Sequence, residues 1–284
     1  MRDPLKGNST PDGTCNWGVE LGRELVRFDF RDIPPDALGD CDAIRQACEC
    51  FVKQGYVLLD HVVPEARVAA LRAEFEARYA PYFVDRELSD SLLVGERRYM
   101  FPVELCGGFA DPAIFANPVV MAVVRRVLQD DVVLEAFGVI NSLQGATAQH
   151  AHRDGPPLFD SEISALLPSH ALTCALPLVD MDEAHGTTAI WPGSHRWREH
   201  DASRPALEPI VPAGSCLIWD FRLFHSGTPN RSNDRRPMVY STFARRWYED
   251  PVNFTKGSLP RLVLGRDFLA GLPPDARRLF AVGR

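Results

Sequence analysis

The feature that most restricts the fold of this chain is the triplet His152-Arg153-Asp154, followed much later by His225. In an extended strand, residues two positions apart share a face, so His152 and Asp154 can both reach one metal ion. A histidine from a distant strand would complete one face of the ion and leave the opposite face open. Two imidazoles and one carboxylate with open positions suit non-haem Fe(II) and oxygen chemistry. A bare triplet of this kind is more often chance than a metal site, so the surrounding sequence decides.

A candidate anchor for a carboxylate follows His225 in the next β-rich run. Arg236 carries a planar guanidinium there, which stays charged and can hold a carboxylate through two parallel hydrogen bonds. It could therefore bind the far end of a dicarboxylate that chelates the metal with its other end. Arg235 is its neighbour, and on a strand the two side chains point to opposite faces, so only one of them can enter the site.

These residues and the segment between the two metal-ligand positions resemble the phytanoyl-CoA dioxygenase (PhyH) family of Fe(II)/2-oxoglutarate oxygenases. The matching pieces are His152-x-Asp154, Gly186-x-Thr188-x-x-x-Pro192-Gly193-Ser194-His195, His225-x-Gly227 with Asn230 and Ser232, and an arginine at the family's spacing, which favours Arg236 over Arg235. The resemblance covers roughly residues 50 to 248. One departure is His185, where the family usually has asparagine, and it puts the shape of that loop in question.

The resemblance implies a cofactor, a cosubstrate and a reaction. His152, Asp154 and His225 would bind Fe(II), and Arg236 would hold the distal carboxylate of 2-oxoglutarate. The other cosubstrate contacts would come from Thr188 and Gln149. With dioxygen, the cosubstrate would be converted to succinate and carbon dioxide while a C–H bond of a small molecule is hydroxylated. Substrate placement also decides between hydroxylation, desaturation, epoxidation and cyclisation, so the sequence leaves the reaction subtype open.

Other classes of protein can carry the same three ligands. A zinc hydrolase would use them with a bound water, but the sequence supplies no general base and would leave Arg236 unexplained. A halogenase of similar fold replaces the carboxylate by Gly or Ala, whereas Asp154 is present. The alternative outside enzymes is a jelly-roll binding protein with a structural metal. Iron-dependent turnover of 2-oxoglutarate would separate these possibilities.

Apolar periodicity predicts a layer of helices ahead of a β-rich region. Helices are expected from Asp40 to Gly55, from Pro64 to Tyr79 and from the Asn117-Pro118 cap onwards. Short β-rich runs follow at Val132–Phe137, Leu172–Leu178, Ala189–Trp191, Ser215–Trp219 and Pro237–Phe243. This texture indicates a mainly β fold with flanking helices, a sandwich or barrel. The resemblance specifies a double-stranded β-helix, which is a cupin-like jelly roll. Residues 1–38 are expected to form an N-terminal extension that wraps the surface or is mobile, and residues 39–284 a single domain.

Composition narrows the partners and the location. The net charge of −7 over 284 residues argues against a nucleic-acid partner, which would require a basic face. No apolar run approaches about 18 residues, so no membrane span is expected, and the N-terminus lacks the core of a signal peptide. The seven irregularly spaced cysteines predict reduced thiols in a cytoplasmic protein. The absence of a basic cluster for CoA phosphates favours a small specialised metabolite as substrate. Oligomeric state cannot be read from the sequence.

Several other polar residues have both a structural and a functional interpretation. His150 would share a face with the metal ligands in a regular strand, so contact with substrate and packing below the site are equally supported. A solvated loop is favoured over a substrate-binding wall for Arg97, Arg98, Tyr99 and Glu104. Surface or capping positions are predicted for His61, His170 and His200.

Overall fold

The part of the chain described by the computed structural model comprises residues 25–31, 33, 37–39, 41–253 and 259–280. Most of the expected N-terminal extension, residues 1–24, therefore lies outside the described residues. Within that extension, Arg27–Asp29 forms β1 and pairs in parallel with β2 (Tyr56–Asp60). This piece of the extension is thus an edge strand of the main sheet.

Local sequence signals mark one end of two of the longer helices in the described part of the chain. They are α1 (Asp42–Gln54), α2 (Glu65–Arg78), α3 (Pro112–Phe115), α4 (Pro118–Leu128), α5 (Phe268–Gly271) and α6 (Pro274–Arg277). Helix α1 ends at Gly55, whose φ of 78° favours glycine. Helix α4 begins at Asn117, whose Oδ1 accepts the backbone N–H of Val119 at 3.0 Å and of Val120 at 3.3 Å. The three helices predicted from the sequence are confirmed as α1, α2 and α4.

The strands form one large sheet and two small ones. The remaining strands are β3 (Leu92–Gly95), β4 (Arg98–Pro102), β5 (Glu104–Leu105), β6 (Val132–Ser142), β7 (Ala171–Pro177), β8 (Thr188–Ile190), β9 (Cys216–Asp220), β10 (His225–Gly227), β11 (Arg236–Arg245) and β12 (Val263–Leu264). The large sheet has the order β1-β2-β9-β7-β11-β6-β4-β3. Strand β10 pairs with β8, and β12 pairs with β5. All five predicted β-rich runs fall on strands, and the mainly β jelly-roll fold is confirmed.

Alternation along the strands separates the two faces of the large sheet. On β11, Val239 and Phe243 belong to the main apolar core, which also contains the buried faces of α1, α2 and α4. Met238 belongs instead to a second core with Ile190 of the small β8–β10 sheet. Successive side chains of a strand point to opposite sides, so one face of the large sheet packs on helices and the other faces the small sheet. The candidate site lies on this second, inner face.

Two expectations for polar residues are wrong. The stretch predicted as a solvated loop contains β4, where Arg98 is 1% exposed and Tyr99 is also buried. The apolar alternation that marks a strand is interrupted here, because one of the inward positions is an arginine. His170, expected at the surface, is likewise 1% exposed and lies just before β7.

None of the helices in the described part of the chain combines the length and apolar character needed to cross a membrane. The six cysteines in the described ranges are all free thiols.

Candidate metal centre and cosubstrate site

The fold brings His152, Asp154 and His225 together. Their ligand atoms all lie within 4.8 Å of one another. His152 and His225 form an isolated antiparallel bridge, in which each backbone N–H donates to the carbonyl oxygen of the other residue, with N···O distances of 3.0 and 2.9 Å. The Nε2 atom of His225 is 3.4 Å from Oδ1 of Asp154. Two residues on one short extended segment and one on β10 therefore converge, as a strand-borne H-x-D motif requires.

Backbone carbonyl groups fix which imidazole nitrogen faces the centre. Nδ1 of His152 lies 2.9 Å from the carbonyl oxygen of His150, and Nδ1 of His225 lies 3.0 Å from that of Leu223. A carbonyl oxygen only accepts, so each Nδ1 carries a proton and each Nε2 is the nitrogen that can bind a metal ion.

The two carboxylate oxygens of Asp154 have different surroundings: one faces the metal centre and the other faces the large sheet. Its Oδ2 accepts a hydrogen bond from the Thr173 hydroxyl at 2.5 Å and another from Nε1 of Trp219 at 2.8 Å. Thr173 and Trp219 are cross-strand partners on β7 and β9, so both donors come from one row of the sheet. This arrangement leaves Oδ1 as the oxygen available to a metal ion.

The electrostatics of the three side chains match what a divalent ion needs. Burial, with a smaller contribution from the neighbouring His225, lowers the pKa of His152 to about 4. Burial alone would raise the pKa of Asp154, but the charge and hydrogen bond of His225 hold it at about 2. Burial opposes protonation of His225, yet Asp154 raises its pKa. An ion would thus meet an ionised Asp154 and a neutral His152. Its binding would displace the proton that His225 holds against Asp154.

A row of three polar side chains crosses the inner face of the large sheet. In the strand register, Ser142 on β6 is opposite both Arg236 on β11 and Arg98 on β4. Its Oγ accepts a hydrogen bond from Nε of Arg98 at 2.8 Å and from Nη2 of Arg236 at 3.1 Å. Arg236 is 5% exposed, and no carboxylate of the described residues forms an ion pair with either guanidinium. Two buried cations therefore share one hydroxyl group.

Burial and mutual repulsion act on both guanidinium groups. Burial lowers the pKa of Arg236 to about 9, with a further contribution from Arg98, and burial lowers that of Arg98 to about 10. Both groups are still charged at neutral pH. Sequence reasoning favoured a solvated loop for Arg98 over a place in the pocket wall, and the signal that could have reversed this choice is a single inward cation in the strand-like run of residues 98–102.

The loop before β8 holds Arg236 in place. Nη1 of Arg236 donates to the carbonyl oxygen of His185 at 3.1 Å. Asp182 accepts the backbone N–H of His185 at 2.8 Å, and the φ of +75° at Gly186 completes the turn. The loop therefore forms with histidine at position 185. Arg235 points elsewhere, with its guanidinium 4.3 Å from the ring centroid of Phe83.

The metal-ligand residues and the two arginines border one cavity of about 300 Å³. Thr188 lines it and is buried at the start of β8. Gln149 also lines it, but its Oε1 accepts the N–H of Gly227 at 2.8 Å and its Nε2 donates to the carbonyl oxygen of Val94. Gln149 thus braces the wall, and only its remaining N–H is left for a cosubstrate. His150 is exposed and lines the cavity, so it does not pack below the site.

Comparison with known proteins agrees with this geometry. The family model "Phytanoyl-CoA dioxygenase (PhyH)" matches residues 51–238. The chain is 26% identical over 247 residues to "Dioxygenase trt7" of Aspergillus terreus, covering 83% of this chain and 82% of that protein. It is 28% identical over 215 residues to "Fe(II)/2-oxoglutarate-dependent dioxygenase nvfF" of Aspergillus novofumigatus, covering 71% and 70%.

Solved structures share the fold. HygX from Streptomyces hygroscopicus, crystallised with nickel and 2-oxoglutarate, superposes with a TM-score of 0.58 at 15% identity, covering 72% of this chain and 89% of that one. The non-haem α-ketoglutarate-dependent epimerase SnoN from nogalamycin biosynthesis superposes with a TM-score of 0.56 at 18% identity, covering 71% and 80%. At these identities the likeness establishes the jelly-roll architecture.

Proposed function

Because this chain belongs to the phytanoyl-CoA dioxygenase (PhyH) family, we propose that it is an Fe(II)/2-oxoglutarate-dependent oxygenase that hydroxylates a small specialised metabolite. Succinate and carbon dioxide would be the co-products. The observation that carries the proposal is one cavity with a His-Asp-His cluster and two buried guanidinium groups without a carboxylate partner among the described residues. A dicarboxylate would supply the missing anion.

The residues present fit both the ion and the cosubstrate. His152, Asp154 and His225 would hold Fe(II) through two Nε2 atoms and Oδ1 of the carboxylate, which leaves positions for other ligands. Arg236 would bind the distal carboxylate of 2-oxoglutarate, with Arg98 beside it and Thr188 in the lining of the same cavity. When bound, the iron supplies the oxygen activation that these side chains cannot perform.

The protein contributes orientation and exclusion of water. The carbonyl groups of His150 and Leu223 keep each ligating imidazole in one tautomer. Thr173 and Trp219 hold the carboxylate of Asp154 in one rotamer. The buried arginines provide charge at a fixed place, which selects a cosubstrate with a second carboxylate.

The finer parts of the proposal rest on the sequence. We infer a small-molecule partner and a cytoplasmic location from composition and charge. We also propose that residues 39–284 form one oxygenase domain, to which β1 adds an edge strand. A zinc hydrolase and a metal-binding protein without activity remain the alternatives, and neither accounts for the paired arginines.

Anaerobic loading followed by exposure to oxygen tests the proposal. Addition of Fe(II) and then 2-oxoglutarate should give the visible charge-transfer absorption of a chelated 2-oxo acid. Oxygen should then yield succinate, even if slowly without substrate. The variants His152→Ala, Asp154→Ala and His225→Ala should each greatly weaken Fe(II) binding and abolish succinate formation while circular dichroism stays unchanged.

Zinc separates the alternatives. If Zn(II) supports hydrolytic turnover and Fe(II) with 2-oxoglutarate gives neither the absorption nor succinate, the protein is not an oxygenase of this type. If any one ligand variant keeps near wild-type succinate formation, that residue is not an essential ligand.

A further inference from the structure

The segment after β11 returns to the cavity. We define residues 248–253 as the C-terminal strap. Asp250 and Asn253 of this strap line the same cavity as the metal-ligand residues. Asp250 is 2% exposed, whereas Asn253 is exposed. No sequence motif marks this segment, and the reaction proposed above makes no use of it.

Buried charges fix the backbone of the strap. Glu135 of β6 is 3% exposed, and its carboxylate accepts the backbone N–H of Asp250 at 3.2 Å. Arg261 pairs with that carboxylate through Nη1 and donates from Nη2 to the carbonyl oxygen of Asp250 at 2.8 Å. Asp250 is therefore held through its N–H and its carbonyl group at once. These contacts position the backbone of Asp250 without a bound ligand.

The strap is also joined to a metal ligand. Nδ2 of Asn253 donates to the backbone carbonyl oxygen of Asp154 at 2.8 Å and to Oδ2 of Asp250 at 2.8 Å. Both partners only accept, so this end of the amide must be the NH₂ group, and its two hydrogens are used. Oδ1 of Asn253 has no hydrogen-bond partner among the described residues. An unused acceptor thus lies beside the backbone of Asp154.

The two strap residues that line the cavity, Asp250 and Asn253, can offer only acceptor atoms from their side chains. The Asp250 carboxylate accepts the N–H groups of Val252 at 2.8 Å and Asn253 at 3.2 Å and has no proton to give when ionised. Arg153 is the nearest cation to Asp154 in the sequence. Its guanidinium N–H groups donate to backbone carbonyl oxygens, including that of Arg222 at 2.9 Å. The cavity therefore offers cations at the Ser142 row and acceptors at the strap.

We propose that Asn253, supported by Asp250, is a specificity-determining residue that accepts a hydrogen bond from a hydroxyl or N–H group of the substrate. The inference rests on the proposed function, because it concerns the substrate side of the same cavity. A substrate with a donor near the oxidised carbon is selected, while an ether or a carboxylate at that place would meet only acceptors. The substrate class is therefore an alcohol or amine rather than an acid.

Matched fragments test the proposal without a known substrate. The probes are cyclohexanol and cyclohexylamine, which have donors, and methoxycyclohexane, which has none. The full chain is loaded with Mn(II) and 2-oxoglutarate, which cannot turn over, and dissociation constants are read from paramagnetic relaxation of the fragment protons. We expect both donors to bind about tenfold more tightly than the ether, which is the upper end of what one net hydrogen bond contributes.

Variants assign that preference to the strap. Asn253→Leu should abolish the difference between alcohol and ether, whereas Asn233→Ala, at an exposed asparagine that does not line the cavity, should keep it. Equal affinities in the wild type, absence of binding by all three probes, or a preference that survives in Asn253→Leu would each overturn the inference. If Mn(II) and 2-oxoglutarate themselves fail to bind, it is the proposed function that is wrong.

Discussion

At the scale of single residues, one hydroxyl group organises the cosubstrate end of the cavity. Ser142 accepts hydrogen bonds from Arg98 and Arg236, and both cations are removed from water. Buried like charges this close repel each other unless an anion neutralises them. The row is therefore more stable when a carboxylate is present than when the cavity holds only water.

The first prediction compares adjacent arginines. Arg236→Ala should raise the apparent 2-oxoglutarate constant far more than Arg235→Ala, because Arg236 faces the cavity and Arg235 stacks on Phe83. Loss of a buried charge-assisted pair typically costs roughly 2–5 kcal/mol of binding. Titration of each variant with 2-oxoglutarate measures the difference. The reverse order would place the anchor one residue earlier and contradict the register of β11.

The second prediction concerns pH and His170. Its ring nitrogens are buried without hydrogen-bond partners in the described structure, and burial lowers its pKa to about 4. In the unfolded chain the pKa is about 6.5, so between these values only the unfolded state takes up the proton. The free energy of unfolding should therefore fall as the pH drops from about 6.5 to about 4.

A variant isolates this contribution. His170→Phe should show a shallower loss of unfolding free energy over that pH range, by on the order of a few kcal/mol. Urea unfolding of metal-free protein at several pH values gives the comparison. His195 and His152, whose pKa values burial also lowers to about 4, contribute to both proteins equally. Parallel pH curves for wild type and variant would show that His170 is not the group responsible.

At the scale of elements, the strands that could be predicted from the sequence differ from the others in the kind of side chain that they bury. Strands β6, β7, β9 and β11 were visible as apolar β-rich runs, because most of their side chains are buried in one of the two cores. Strands β4 and β10 were not, since β4 turns Arg98 inward and β10 is a three-residue segment that begins with His225. Functional residues thus obscured the pattern of their own strands.

The third prediction concerns the contact between two of these strands. Gly138 on β6 lies opposite Tyr240 on β11, and a Cβ at 138 would be 2.7 Å from the Tyr240 hydroxyl and 2.5 Å from the carbonyl oxygen of Phe101. Gly138→Ala should therefore destabilise the protein by roughly 1–3 kcal/mol. Gly271→Ala is the control, because a Cβ there meets nothing within 4 Å. Thermal unfolding that ranks the two variants equally would contradict the close approach.

At the scale of the whole molecule, the sequence predicted the site residues that belong to short contiguous motifs. It did not predict contacts between residues that are far apart in the chain. The metal-ligand residues belong to short motifs, and the jelly roll followed from the family resemblance that those motifs carry. The strap could not be predicted, because its role depends on a hydrogen bond from Asn253 to Asp154, which are far apart in the chain. Arg98 became recognisable as a site residue only once β4 and β11 were both paired with β6.

The dependence of Asp154 on Thr173 and Trp219 has a consequence for folding kinetics. Its carboxylate is oriented only after β7 and β9 have paired, and His225 joins it only through the bridge to His152. Because pairings between distant segments carry a large loop-closure cost, we expect the centre to form late and the ion not to nucleate folding. Mn(II) should leave the refolding rate unchanged and slow unfolding, because a contact absent from the transition state acts on the unfolding rate alone. Stopped-flow refolding that accelerates with added Mn(II) would show that the centre assembles before the sheet.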